Sequence, residues 1–431
     1  MPTAFSHTVA RLLSAGWYLA FKEPPPEGLL RHLDRMLFFG SGMIAARILS
    51  AVTQILLGRT LGQTHYGELT IIMLLAGYLS LPISSGWASA FARIVAVQSD
   101  PRKSFQALRS LLLIAFGCGL AVGLGAYAFR DPIGTWLHID RRLMDLTLMM
   151  SLFYAWWSLA KQIAQALQDW RTYVAADLGW AIIVLGLFTL LVGIGRAELA
   201  AICFVFWAAY FCAGLAAGKF VVKSFGTGSA LTFAGPMLQH GGLMLLNGLI
   251  GVAAYSVDRI LLQYFLGAQE VGLYQAHFLA TYGLVGSLMT LVLTYAFPLF
   301  CRDDRNLLPQ TLRRFTRLQY AFTLAPSAVV GTAALWLYGY PMSLPLFACL
   351  CLFGSIQFHG QIKAWYIASK GAAATRRVLG SQVIFLFVNI VLLFGLARRL
   401  GIVAGGISLL VAALAALLFL IRTEKKLARH E

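Results

Sequence analysis

Twelve apolar stretches run along this chain, and each is long enough to cross a bilayer. They cover approximately residues 36–57, 67–92, 109–129, 144–167, 174–195, 198–218, 240–263, 272–298, 316–338, 343–368, 378–397 and 400–421. A helix of roughly 20 apolar residues spans the hydrocarbon core. The sequence therefore predicts an all-α polytopic membrane protein with about 12 transmembrane helices, tilting or kinking in the longer segments at Pro82 and Pro298. Composition agrees, since 59% of residues are hydrophobic and only 12% charged, whereas soluble domains carry about 25% charged residues.

The formal net charge of +17 would suit a nucleic-acid partner if the basic residues were clustered on one soluble face. They are not. With the amino terminus in the cytoplasm, 23 of the 34 Lys and Arg fall on the cytoplasmic side, 7 on the other, and 4 within spans. This asymmetry is the positive-inside pattern, so the charge sets orientation, no nucleic-acid partner is expected, and both termini are placed in the cytoplasm. Arg141 and Arg142 are local exceptions. The resulting organisation is a cytoplasmic amino-terminal segment (1–35), a first six-helix bundle (36–218), a cytoplasmic linker (219–239), a second six-helix bundle (240–421) and a basic cytoplasmic tail (422–431). The first 21 residues are followed by "KEPPPEG" and by no small-residue cleavage site, which favours an interfacial helix and a Pro-rich linker over a secretory signal. The six cysteines have no metal-ligand spacing, and all but Cys301 lie inside apolar spans, as small core residues do.

The chain contains a repeat. Residues 52–67, "VTQILLGRTLGQTHYG", align without gaps to residues 257–272, "VDRILLQYFLGAQEVG", with seven of sixteen positions identical. Two glycines five apart recur in both copies, Gly62 and Gly67 matching Gly267 and Gly272, at the turn between the first and second helix of each half. The offset of 205 residues contains six spans, so the halves share one orientation and are related by an axis along the membrane normal. Repeat-built transporters bind cargo between their halves near mid-membrane. Spans 1 and 2 facing spans 7 and 8 are the expected lining of such a cavity.

Charged residues inside these spans are the candidate binding groups, because a charge at the bilayer centre costs at least about 2.5–3.5 kcal/mol and marks a pathway by default. Gly40, Met43, Arg47, Ser50 and Gln54 share one helical face of span 1. A similar seam in span 7 passes through His240, Asn247, Gly251, Ala254 and Asp258, with Arg259 beside it. Arg47, Arg259, Lys161, Gln54, Asn247 and Lys363 are the candidate cargo-binding residues; Asp177 and Asp258 are the in-span acids available for ion coupling. A snorkelling or helix-tying structural role is the alternative for Arg47, snorkelling for Lys161 and Lys363, a local pair with Asp258 or an interfacial anchor for Arg259, and a membrane-interface anchor for Arg93. This net-cationic interior favours an anionic cargo, and a guanidinium fork suits phosphate oxygens.

No P-loop, dinucleotide fingerprint, HExxH or GxSxG is present, so neither an enzyme activity nor a cofactor or metal site is expected. Energy would come from an ion gradient, the membrane potential or downstream chemistry. His277 and His359 are either proton-coupling groups or hydrogen-bonded helix contacts; Tyr154, Trp156 and Trp157 either stack on sugars or pack the core.

The stretch "RILSAVTQILLGRTLGQTHYGELTI", followed by "ISSGWASAFARIVA" with Gly86 and Arg93, resembles the amino-terminal signature of polysaccharide-export flippases, the Wzx-like branch of the multidrug/oligosaccharidyl-lipid/polysaccharide (MOP) exporter superfamily. The close resemblance covers about 60 residues, with a weaker echo at 257–300. It implies the MATE/MOP-like architecture of two six-helix bundles and transfer of a polyprenyl-pyrophosphate-linked oligosaccharide to the periplasmic leaflet of a bacterial inner membrane, for O-antigen, capsule or exopolysaccharide. Membrane lipids and polysaccharide assembly machinery are the implied partners. The family's cavity arginine maps to Arg47; Arg259 and Lys161 are looser assignments, and the basic extension before span 1 departs from the pattern. A multidrug cation antiporter of the same fold is the first rival reading. A membrane glycan polymerase or ligase is the second, and the short outer loops argue against it.

Overall fold

The computed structural model describes residues 33–98, 100–225, 231–283, 285–287, 289, 308–369 and 372–427. The expected interfacial helix, the Pro-rich linker, Pro298 and Cys301 lie outside the described residues. Among the described residues the chain is helical throughout, without strands. The helices are α1 (Leu33–Val97), α2 (Pro101–Ala128), α3 (Arg130–Leu137), α4 (Arg141–Ala166), α5 (Trp170–Gly193), α6 (Leu199–Gly214), α7 (Gly218–Ser224), α8 (Ala234–Ala254), α9 (Val257–Leu266), α10 (Ala268–Phe278), α11 (Leu308–Tyr338), α12 (Leu344–Ser369), α13 (Ala372–Leu400) and α14 (Val403–Leu427).

Among the described residues, ten helices are long and apolar enough to cross a membrane. One of them, Phe39–Ala96, has 58 residues and at ~1.5 Å per residue would be roughly 87 Å long, far more than a bilayer needs. It is two spans, because Gly62 leaves helical geometry at φ 71, ψ 174 and folds the chain back. The eighth expected span begins in α10 and continues through the π-helical turn Leu279–Gly283, with its last residues outside those described, so the helices present agree with an architecture of about twelve.

Helix starts are set locally. Asp100 caps α2 by accepting from Arg102 N at 2.8 Å, with Pro101 at the first helical position, where its missing N–H removes an orphan donor. The Asp169 carboxylate caps α5 through Thr172 N at 3.1 Å and ties the α4–α5 turn to Lys219 at 2.6 Å.

Two expectations change in detail. The seventh span is not one uninterrupted helix: α8 ends at Ala254 and α9 starts at Val257, with Tyr255 and Ser256 in a turn between them. The Ser256 hydroxyl bonds to Val252 O, and Arg259 reaches back to Tyr255 O, so side chains occupy backbone acceptors at the break. The loop after the third span also carries the amphipathic helix α3, too short for a span-length reading to detect.

The apolar interior joins the halves. One cluster combines Leu57, Tyr66, Phe188, Phe206 and Tyr210 with Leu335, Tyr338 and Phe347 from the second half. Another gathers the second-half residues Leu262, Tyr274, Phe353 and Phe385 with Ile71, Leu137 and Met144 from the first. A third surrounds Trp87, Phe91, Leu108, Ile163 and Met237, with Leu245 packed against it.

Candidate functional site

The two repeat turns have the same backbone. Gly62 lies at φ 71, ψ 174 and Gly267 at φ 88, ψ 177, a region essentially closed to residues with a Cβ. Each turn makes a hairpin braced from the same aligned position. Gln54 accepts from Tyr66 OH at 3.0 Å across the first turn, and Arg259, its counterpart, donates to Gln275 at 2.6 Å across the second.

The other aligned pair, Gly67 and Gly272, meets across the two halves. A Cβ on Gly67 would sit 1.8 Å from Ala268 O, and one on Gly272 would sit 1.9 Å from Gln63 O, so the backbones touch and no side chain fits between them. Around this crossing Tyr66 OH bonds Tyr338 OH at 3.2 Å, Tyr340 OH donates to Gly58 O at 2.6 Å, and Gln263 donates to Leu137 O at 3.1 Å. This turn end is therefore closed. Toward the opposite end the halves also touch, where a Cβ on Gly86 would lie 2.1 Å from Gly241 O.

The in-span cations fall into two classes. Lys161 Nζ, 13% exposed, is ion-paired with Asp177, 6% exposed, and lies 4.1 Å from the Trp157 ring centroid. Arg259 pairs with Asp258 at 3.3 Å, and Tyr274 OH closes on the other carboxylate oxygen. The Arg259 guanidinium also packs on the Phe278 ring at 3.8 Å, so it is enclosed by its own half. Lys363 pairs with Glu424 of α14 at 2.5 Å. Arg47 differs: its side chain is exposed, and among the described residues it has no carboxylate partner. It sits where the packed face of α1 (Met43, Ala46, Thr53) gives way to the uncovered face of Ile44, Ile48 and Val52. Electrostatically it reaches Tyr154, Tyr173 and Lys161.

Asn247 and His240 are exposed on α8, beside the glycine face (Gly241, Gly248) that packs on α1. His277 is fully buried; its Nδ1 bonds Leu273 O at 2.8 Å and its Nε2 accepts from Ser343 N at 3.0 Å. Those bonds describe a satisfied neutral imidazole holding two segments together. The aromatics belong to a packed cluster, with Tyr154, Trp157, Trp180 and Tyr210 at ring-centroid distances of 5.0–5.6 Å.

Sequence reasoning missed Glu424, assigned to the basic tail boundary, and the tyrosines at 338 and 340. A carboxylate one turn from a membrane exit resembles ordinary interfacial polarity, and tyrosines there resemble an aromatic belt. Neither signal predicts the partner.

A sequence profile described as "Polysaccharide biosynthesis protein" matches residues 33–302, more than half of the chain. The chain belongs to that family. No curated protein matches this family member at the level of sequence. Among solved structures, "Lipid II flippase MurJ, inward closed conformation" superposes with a TM-score of 0.72 at 14% identity, covering 90% of this chain and 87% of that one. "Inward-facing conformation of a multidrug resistance MATE family transporter of the MOP superfamily" gives 0.65 at 10% identity, covering 89% and 95%. A mutant form of the Vibrio cholerae MATE transporter VcmN gives 0.52 at 14% identity, covering 92% and 97%. This polysaccharide biosynthesis family member thus has the MOP fold, shared by flippases and multidrug transporters alike.

Proposed function

We propose that the protein is an alternating-access flippase that moves a polyprenyl-pyrophosphate-linked oligosaccharide from the inner to the outer leaflet of a bacterial inner membrane, with both termini cytoplasmic and polysaccharide assembly machinery receiving the product. One observation carries this reading. Arg47 keeps its charge at membrane depth without a carboxylate among the described residues, while Lys161, Arg259 and Lys363 each have one. A guanidinium cannot deprotonate its way out of that position, so an anion arriving from outside the protein is its natural complement. Pyrophosphate supplies two adjacent sets of oxygens for the planar fork.

The same pattern weighs against a cation antiporter. Such a pump needs carboxylates free to meet its cargo, and Asp177 and Asp258 are both buried against cations of their own. The Gly67–Gly272 crossing would be the outer gate, opening as one half rocks against the other, with the turns at Gly62 and Gly267 as its rigid corners.

Arg47→Ala and Arg47→Lys, compared at equal membrane expression, test the proposal. Surface-glycan export should fall at least tenfold in the alanine variant, with partial recovery for lysine, which keeps the charge but loses the fork. Wild-type export by the alanine variant would remove Arg47 from the mechanism.

A further inference from the structure

Gly58 and Gln263 occupy the same position of the repeat, one helical turn before the breaks at Gly62 and Gly267. Each meets a connection of the opposite half, the one that joins that half's third and fourth spans. Tyr340, between α11 and α12, donates its hydroxyl to Gly58 O at 2.6 Å. Gln263 of α9 donates its amide to Leu137 O at 3.1 Å, at the end of α3, which lies between α2 and α4. Both accepting carbonyls belong to the last turn of a helix, where backbone acceptors run short of helical partners. A ring pair drawn from the two halves lies beside each bond: Tyr66 with Tyr338 at 5.9 Å between centroids, and Trp136 with Tyr264 at 5.7 Å.

The exchange is reciprocal, with the chemical roles reversed between its two sides. In one clasp the connection brings the side chain and the hairpin the carbonyl; in the other the hairpin brings the side chain. Glycine at position 58 is what lets the first clasp form, because a Cβ there would lie 2.5 Å from Tyr338 Cε1 and displace the ring. The buried hydroxyls of Tyr66 and Tyr338 add a bond of 3.2 Å beside it. Both clasps cross between the halves at the same end, so one rocking movement that parts the halves there must break both. A hydrogen bond exchanged for water on opening changes the open-to-closed ratio by roughly twofold to tenfold.

Resting on the alternating-access part of the proposed function, we propose that these reciprocal clasps are the latch of the turn-end gate. They set the balance between closed and open at that end in the unloaded carrier, and they release together. The Gly67–Gly272 crossing supplies the close approach of the backbones, and the clasps supply the directional bonds that hold it.

The test uses full-length protein in lipid nanodiscs with the native cysteines replaced. Spin labels go on Arg196→Cys, at the α5–α6 connection, and Arg399→Cys, at the end of α13, both exposed. Double electron–electron resonance then reads closed and open distances without cargo. Wild type should give mainly the short distance. Tyr340→Phe should raise the open-to-closed ratio roughly twofold to tenfold, and Gly58→Ala should act in the same direction by unseating Tyr338. Gln263→Met combined with Tyr340→Phe should multiply the two single effects. Tyr320→Phe, which loses a bond to His359 inside the second half, should leave the ratio unchanged. If the Gln263 variant does not fold, the Tyr340 and Gly58 variants still decide the matter. An unmoved ratio in both would overturn the latch, as would an equal shift in Tyr320→Phe. A Tyr340→Phe shift that Gln263→Met fails to enlarge would overturn the joint release. Because no cargo enters the measurement, a working latch beside normal export by Arg47→Ala would reject the flippase reading alone. Unmoved ratios beside failed export by Arg47→Ala would reject the latch alone.

Discussion

Arg47 and Lys161 have opposite electrostatic situations although the sequence presents both as cations within apolar spans. Lys161 is sequestered by Asp177 and the Trp157 face. Removing one member of such a buried pair strands a charge, typically at a cost of about 3–5 kcal/mol, whereas replacing both with apolar residues of similar volume is often neutral. Lys161→Ala should therefore lower thermal stability markedly in detergent, and Lys161→Met with Asp177→Leu should recover most of the loss. Additive losses in the double variant would show that the two residues act independently. Export separates the roles further: if Lys161 also assists the cargo, the stable double variant should still transport poorly. The expectation of charged groups at membrane depth was legible from the sequence, since a span with an arginine at its centre needs no alignment to be recognised. Their pairing was not, because Lys161 and Asp177 are 16 residues apart and Lys363 and Glu424 are 61 apart.

The repeat element contains two kinds of glycine. Gly62 has nothing within 4 Å of a hypothetical Cβ, so its constraint is the backbone angle alone. Gly62→Ala should cost about 1–3 kcal/mol of strain, visible as a lowered melting temperature without altered packing across the halves. An alanine as stable as wild type would mean that the hairpin can turn by another route. Gly67 is constrained by its neighbour instead, with Ala268 O where a methyl would go. Gly67→Ala should hold the turn end apart. Gln63→Cys and Gln269→Cys, placed where the two amides approach at 3.4 Å, report this through a short bifunctional thiol reagent in a background with the native cysteines replaced. Cross-linking should be efficient with Gly67 and several times weaker with alanine. Equal yields would remove the glycine crossing from the gate.

At the scale of the whole molecule, contacts between the halves lie at both ends, at Gly67–Gly272 and at Gly86–Gly241. An alternating-access cycle must break one set while keeping the other. Orientation is the companion expectation. With 23 of 34 basic residues on one side, a single cysteine at Gly195 should react with an impermeant thiol reagent added outside spheroplasts, and one at Arg422 only after lysis; the reverse pattern would invert the assignment of the gates. The sequence by itself determined the polytopic helical class, the repeat and the turn glycines, because apolar length and left-handed backbone are local properties of a chain in lipid. Only the tertiary structure decided which in-span cation lacks a carboxylate among the described residues, and that Gly67 meets Gly272 across 205 residues. Helical periodicity fixes which residues share a face, but the partner of that face depends on how each helix is rotated and packed against the others.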